Sequence, residues 1–377
     1  MSKGAHQHPA STPSPNSSLW GLCTVLMTLI GWSSVPLFIK YIAAFVDVWT
    51  QNGWRYAFAA VMWAPVLIVA HARRRVPAGL WRASVVPSIA NALGQTLFTY
   101  AYYEIDVATA TFGLRMQIVF LAVGAYLLFP SERALLRTPQ AWIGIALVLL
   151  GIAGTILSMP EPAPTVDAAA AIALPVAHLG SRAFGVAAAI SSGLLFAVYG
   201  LGVRKYMHGF HPVTAFAAIS QITALLCVVF MLVAARADAG RGPHDLGLSV
   251  LHLSAAPILL MILSSILGIA LGHVFYYMAI ARLGVAVTSG VIQLQPFCVA
   301  AAQFMVYGVA LTMGQWIGGI VAVCGAVMLL HAQWAMSRTR ALAPTGTIAR
   351  ETIPGGEPVG VEAAEMDAMP VERSSKR

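Results

Sequence analysis

The sequence predicts an all-helical integral membrane protein, with ten transmembrane helices arranged as two inverted five-helix repeats. Three observations lead there. Of 377 residues, 59% are hydrophobic and only 10% are charged, against about 25% charged in a soluble domain. Ten apolar stretches are long enough to cross a bilayer, which takes about 20 residues of helix. Three blocks of the first half also recur, in order, in the second.

The stretches fall at 19–39, 54–70, 85–103, 107–128, 142–159, 184–203, 213–235, 257–279, 285–309 and 315–335. The first is longer than the apolar core of a secretory signal and lacks a clear cleavage site, so it counts as a span. Residues 1–17, rich in Ser, Pro and His, read as disordered. The first repeat is expected over 18–159 and the second over 182–335. Between them, 160–181 carries Pro160, Pro162 and Pro164 and reads as a linker. The tail, 336–377, mixes Pro, Gly and charge and reads as disordered.

Orientation follows from Lys and Arg in the loops. One side holds Arg73, Arg74, Arg75, Arg82, Arg133, Arg137, Arg204, Lys205 and Arg282, with Lys3, Arg338 and Arg340 beside the terminal spans. The other holds Lys40, Arg182, Arg236 and Arg241, together with Asp47, Glu104, Asp106, Glu161, Asp167, Asp238 and Asp245. Both termini are therefore expected in the cytoplasm and the chain in the cytoplasmic membrane. Topology accounts for the net charge of +8, and no nucleic-acid partner is expected. The partners are the lipid bilayer and a small-molecule substrate; a homodimer is compatible with the sequence. Cys23, Cys227, Cys298 and Cys324 all lie in apolar runs without metal-type spacing and read as small core residues.

The duplication is specific. Lys40-Tyr41, Phe45 and Val48 match Lys205-Tyr206, Phe210 and Val213. Gly94, Ala101, Ala108 and Gln117 match Gly272, Ala279, Ala286 and Gln295, while Trp142, Gly144 and Gly151 match Trp316, Gly318 and Gly325. Within each block the separation is constant. Five spans per copy is an odd number, so the second copy enters the membrane upside down. Inverted repeats of this kind place a solute site near the midplane, between the copies.

Arg115 stands out within the fourth span. An Arg at mid-membrane costs roughly 2.5–3.5 kcal/mol on insertion scales unless it faces protein, water or an acid. No span carries an Asp or Glu in its centre. An anionic ligand is then a candidate partner; donation to helix carbonyls and water is the structural alternative. Helical spacing puts Thr111, Arg115 and Ile118 on one face, and their repeat equivalents are Ser289, Gln293 and Pro296. Gln117 and Gln295 fall about 200° away by helical geometry, so Arg115 and Gln293 are expected at the cavity and the other pair between helices. Asn91, Gln95, Phe98 and Tyr102 share a face of the third span, with His273 and Tyr276 equivalent to Gln95 and Phe98. His273 has a side chain suited to proton coupling or to plain packing. Trp32 is a candidate wall residue. The substrate-binding candidates are thus Arg115, Gln293, Gln95, His273, Thr111, Ser289, Trp32, Tyr102, Tyr276 and Asn91. Lys40 and Arg55 fall near the outer surface beside Asp47, Glu104 and Asp106, placed for snorkelling or for ion pairing at an outer gate. Gly268 with Gly272, and Gly314 with Gly318, read as close helix contacts.

Further motifs carry a family resemblance. The first copy shows Gly31-Trp32-Ser33-Ser34, Phe38-Ile39-Lys40, Trp54-Arg55, Tyr100-Ala101-Tyr102-Tyr103, Ser131-Glu132-Arg133 and Trp142-Ile143-Gly144. The second shows Tyr276-Tyr277-Met278-Ala279, Gln295-Pro296 and Gln315-Trp316-Ile317-Gly318-Gly319. Over 19–335 the chain resembles the drug/metabolite transporter superfamily, in its ten-span branch with two EamA repeats. That resemblance implies secondary transport of small organic solutes, and export as its direction. Ile118 departs from the family's Pro in the fourth helix.

Other chemistries lack their residues. There is no Walker-type loop, no His-Glu-x-x-His helix, no paired intramembrane Asp and no nucleophile elbow. His208 and His211 lack a third metal ligand. The expectation is a transporter without enzymatic activity, metal or cofactor, its cargo tilted by Arg115 toward carboxylate-bearing metabolites or amino acids. The rival readings are a cationic-drug exporter, a membrane scaffold and an intramembrane enzyme.

Overall fold

The computed structural model describes residues 15–160 and 182–342. Ten long helical elements follow one another. They are α1 (Pro15–Ile42), α2 (Val48–Ala72), α3 (Leu80–Glu104), α4 (Val107–Leu114 and Gln117–Leu128) and α5 (Pro139–Leu157). The second set is α6 (Arg182–Tyr206), α7 (Pro212–Ala234), α8 (Ala255–Leu283), α9 (Val285–Ile292 and Gln295–Tyr307) and α10 (Met313–Leu342). The expected linker and most of both expected disordered termini lie outside the described residues. Their edges differ from expectation, since α1 already begins at Pro15 and α10 runs on to Leu342.

Nine of the described helices are long and apolar enough to cross a membrane. The tenth, α3, is equally long but more polar. Its Ser84, Ser88, Thr96 and Thr99 are buried within the bundle, with Ser88 Oγ donating 3.2 Å to Ile219 O of α7. A polar face costs little in lipid when protein covers it. Large apolar side chains such as Ile30, Val61, Leu127, Leu150, Val233 and Met305 point outward instead, as the lipid requires. Cys227 is buried, but Cys23 and Cys324 are exposed on such outward faces, which corrects their assignment to the core.

Helix starts are set locally. Asp47 Oδ1 accepts the Trp49 and Thr50 amides at the start of α2, satisfying donors that have no partner within the helix. Asp106 does the same for Thr109 N in α4.

The packing has two-fold character. α1 lies mainly against α8, and α3 against α6; α2 packs on α7, and α5 on α10. Exchanging the first five helices for the second five maps these pairs onto themselves. At the α5–α10 seam Gly144 faces Gly325, while Gly151 faces Gly318. Numbers rise along one helix as they fall along the other, so the pair is antiparallel. Gly144 and Gly151 are also the repeat equivalents of Gly318 and Gly325, so the exchange of copies turns the Gly144–Gly325 contact into the Gly151–Gly318 contact. That is the signature of an inverted duplication.

The seam requires glycine. A Cβ on Gly151 would lie 2.5 Å from Gly318 O, whereas one on Gly154 would lie 3.6 Å from the Gly318 Cα. Gly151→Ala should therefore cost about 1–3 kcal/mol through overpacking. Gly154→Ala should stay within about 0.5 kcal/mol of the parent. Thermal unfolding in detergent compares them, and equal losses would contradict a backbone-to-backbone seam.

Candidate functional site: a cavity between the repeats

α4 and α9 are broken at the same repeat position. Arg115 (φ −65°, ψ −12°) ends the first piece of α4, and Gln293 (φ −65°, ψ −16°) ends the first piece of α9. Through the α4 break the hydrogen bonds shorten to one residue less per turn: Arg115 N to Phe112 O, 2.9 Å, Met116 N to Gly113 O, 3.1 Å, and Ile118 N to Arg115 O, 3.1 Å. In α9 Leu294 N bonds Val291 O at 3.0 Å in the same manner. Proline is thus not needed, for Ile118 stands in α4 where Pro296 stands in α9. Gly193 of α6 packs on the α4 break, where a Cβ would meet Leu114 O at 2.8 Å.

Between these breaks lies a cavity of about 410 Å³, within the range of small-molecule sites. Arg115, Gln117, Gln293 and Gln295 all line it. The sequence expectation separated the two glutamines at 117 and 295 from Arg115 and Gln293, and that separation is corrected here. A tightened turn advances by about 120° per residue instead of 100°, so the two steps from Arg115 to Gln117 and from Gln293 to Gln295 turn about 240° rather than about 200° and bring the glutamines nearer to the cavity side.

Arg115 Nη2 donates to Gln295 Oε1. Gln295 Nε2 in turn donates 2.7 Å to Trp32 O on α1. One glutamine therefore spans from α9 to α4 and α1, across the repeat interface. Arg115 Nε and Gln293 Oε1 are both buried without a hydrogen-bond partner. An unpaired buried polar group costs about 1–3 kcal/mol, and a group bound in the cavity could relieve it.

Arg55 also lines the cavity and is only 1% exposed. Its Nε donates 2.8 Å to Ser264 Oγ on α8, and its Nη1 lies 3.5 Å from Asn52 Oδ1. This corrects its placement at the outer surface. The apolar run starts at Trp54, but Asp47 starts the helix earlier, so Arg55 lies two turns inside it. Thr50, Gln51 and Asn52 of that first stretch are buried in protein. A capping Asp ahead of Thr50 was the signal that could have moved the boundary.

One wall is aromatic. In α8 the stretch Ser265–Leu271 is a π-helix, whose wider turn leaves carbonyls for side chains. Trp32 Nε1 donates to Gly268 O at 3.2 Å, and His273 Nδ1 lies 3.1 Å from Ile269 O. The His273 ring stacks on Phe216 with centroids 4.6 Å apart and meets Trp32 edge-on at 5.4 Å. Tyr276 lies 5.2 Å from Trp32 and reaches Ser289 Oγ at 3.3 Å. Gly268 and Gly272 pack α8 on Val35 and Trp32 of α1, as their spacing suggested.

Of the ten candidates, Trp32, Asn91, Gln95, Arg115, His273, Tyr276, Ser289 and Gln293 line this cavity. Tyr102 and Thr111 do not. They bond each other at 3.1 Å in the buried core, and Thr111 Oγ1 also donates to Val107 O. Thr111 belongs to the first piece of α4, ahead of the break, where its face meets α3. Phe98, anticipated only as a neighbour of Gln95, lines the cavity with Phe196 and Tyr199, which sequence reading did not single out because α6 shows no polar stripe.

Among the described residues, the cavity runs on toward one end of the bundle. Its lining continues through Leu121, Tyr199, Val203, Tyr277 and Leu330, toward the ends of α4, α6, α8 and α10 and the arginine-rich loops. There Arg204 pairs with Glu132 at 2.8 Å and lies 4.3 Å over the Phe129 ring. At the opposite end Tyr103 Oη donates to Gln51 Oε1 at 2.6 Å, and Tyr307 Oη to Leu37 O at 2.7 Å. Lys40 Nζ donates to the Tyr103 and Ile105 carbonyls at 3.3 and 3.2 Å. Lys40 thus caps the end of α3, and of the two alternatives for Lys40 and Arg55, ion pairing with Asp47, Glu104 or Asp106 is not seen among the described residues.

Comparison with known proteins agrees with this architecture. A family model described as the EamA-like transporter family matches residues 19–157 and again 183–331. No curated protein matches the sequence. A solved structure, titled only as the crystal structure of a protein, is similar with a TM-score of 0.51 at 15% identity. The similarity covers 86% of this chain and 98% of that one, and it speaks to the fold alone. Two matched copies, ten helices and a cavity at their interface make this chain a multi-pass membrane protein belonging to the EamA-like transporter family.

Proposed function

We propose that the chain exports small organic anions, carboxylate-bearing metabolites or amino acids, across the cytoplasmic membrane by alternating access. Both termini lie in the cytoplasm in this reading, so the cavity extends toward the cytoplasm and takes up cargo there. The observation that carries the proposal is Arg115, a guanidinium in the midst of the spans whose side-chain hydrogen-bond partner among the described residues is the neutral Gln295. Gln295 Oε1 occupies the place a cargo carboxylate oxygen would take. Charge-assisted pairs are roughly twice as strong as neutral ones, so a carboxylate displaces the amide. Displacement also frees the Gln295 link to Trp32 O, a tie between the two repeats. Binding and rocking of the halves are thereby connected through one side chain. Gln293 Oε1 is left to accept a donor from the cargo, and the Trp32, His273 and Tyr276 rings face its apolar part. A cationic-drug exporter would want an acid in the cavity, and none lines it among the described residues.

In proteoliposomes, Arg115→Gln should lower carboxylate flux about tenfold or more, the scale of about 1.4 kcal/mol or more in transition-state or binding energy. A wild-type rate would count against the anion site. Gln295→Glu tethers a carboxylate beside Arg115 and should weaken cargo binding by a similar factor while raising the melting temperature. Unchanged affinity, measured by calorimetry, would remove the placeholder role.

A further inference from the structure

Arg55 and Arg115 approach one cavity from different helices, α2 and α4. Both guanidinium groups stay protonated under any physiological condition. No Asp or Glu is among the described residues lining that space. Among the described residues, the hydrogen-bond partners of both guanidiniums are neutral: Ser264 and Asn52 for Arg55, Gln295 for Arg115. The cavity therefore carries two positive charges with no carboxylate among the described residues that line it. A monocarboxylate at Arg115 would neutralise one and leave the other.

We infer that the cavity is built for a dianion, a small molecule carrying two negative charges, with one anionic group at Arg115 and the second at Arg55. This rests on the anion-transport reading of the same site and sharpens it. Dicarboxylates and phosphorylated carboxylates share the required chemistry. Ser264 holds Arg55 through Nε, which fixes the plane of the guanidinium and leaves its Nη2 edge for an oxygen acceptor. A cavity of about 410 Å³ accommodates a metabolite of this size.

The test uses the full-length chain in nanodiscs of neutral lipid, with binding measured by calorimetry at pH 7. The probes are succinate, its monomethyl ester, 3-phosphoglycerate and tetramethylammonium. Succinate or 3-phosphoglycerate should bind about tenfold or more tightly than the monoester, a ratio equal to about 1.4 kcal/mol. Whichever of the two binds tighter identifies the second anionic group as carboxylate or phosphate. Arg55→Gln should abolish that ratio, bringing succinate affinity down to that of the monoester. Should Arg55→Gln not fold, the wild-type comparison of diacid with monoester decides alone. Equal binding of diacid and monoester overturns the dianion inference but leaves the anion carrier standing, as does an Arg55→Gln protein that keeps the preference. Binding of tetramethylammonium alone, or of no anion, overturns both.

Discussion

A guanidinium held between two copies of a five-helix unit is the constraint on which this structure depends. Arg115 sits at a break in α4, and the matching break in α9 supplies its partner, Gln295. Neither copy could shelter that charge alone. Facing lipid, it would meet the full insertion penalty; facing a cavity lined by Gln117, Gln293 and Gln295, it keeps polar company and access to water. The inverted duplication therefore does more than double the helix count. It brings two equivalent weak points of the backbone to one place and surrounds them with side chains that differ between the copies.

Symmetry and its violation divide the molecule. The α5–α10 seam is symmetric to the level of single glycines, and a rigid, two-fold pairing there suits a scaffold. The cavity is not symmetric. Arg115 stands opposite Gln293, Gln95 is matched by His273, and α8 alone carries a π-helix where Trp32 and His273 find their carbonyl partners. The cavity thus has cationic groups from the first copy and an aromatic wall drawn largely from the second. In the proposed function, that difference gives directional recognition of a small, asymmetric molecule.

Much of the fold was legible in the sequence because lipid imposes a simple rule: apolar length gives the spans, and odd repeats give the inversion. The cavity lining was legible where a polar residue interrupts an apolar run, as at Arg115, Gln293 and His273. It was not legible at Arg55, because hydropathy placed the start of α2 at Trp54 while a capping aspartate and a buried polar first turn placed it earlier. Nor were Gln117 and Gln295 placed correctly, since an ideal helical wheel fails across a tightened turn. Tyr102 and Thr111 matched the polar pattern yet satisfy each other in the core. Polarity marked inward-facing residues but did not distinguish those that meet the cavity from those that meet another helix.

The central claim is that Gln295 keeps the place of a cargo carboxylate on Arg115. Experimental density for the chain with a bound carboxylate, obtained by electron cryomicroscopy in nanodiscs, tests it most directly. The account predicts an oxygen of the ligand within hydrogen-bond distance of the Arg115 guanidinium, with the Gln295 side chain turned away from it. A ligand seated elsewhere, with the Arg115–Gln295 contact intact, would contradict it.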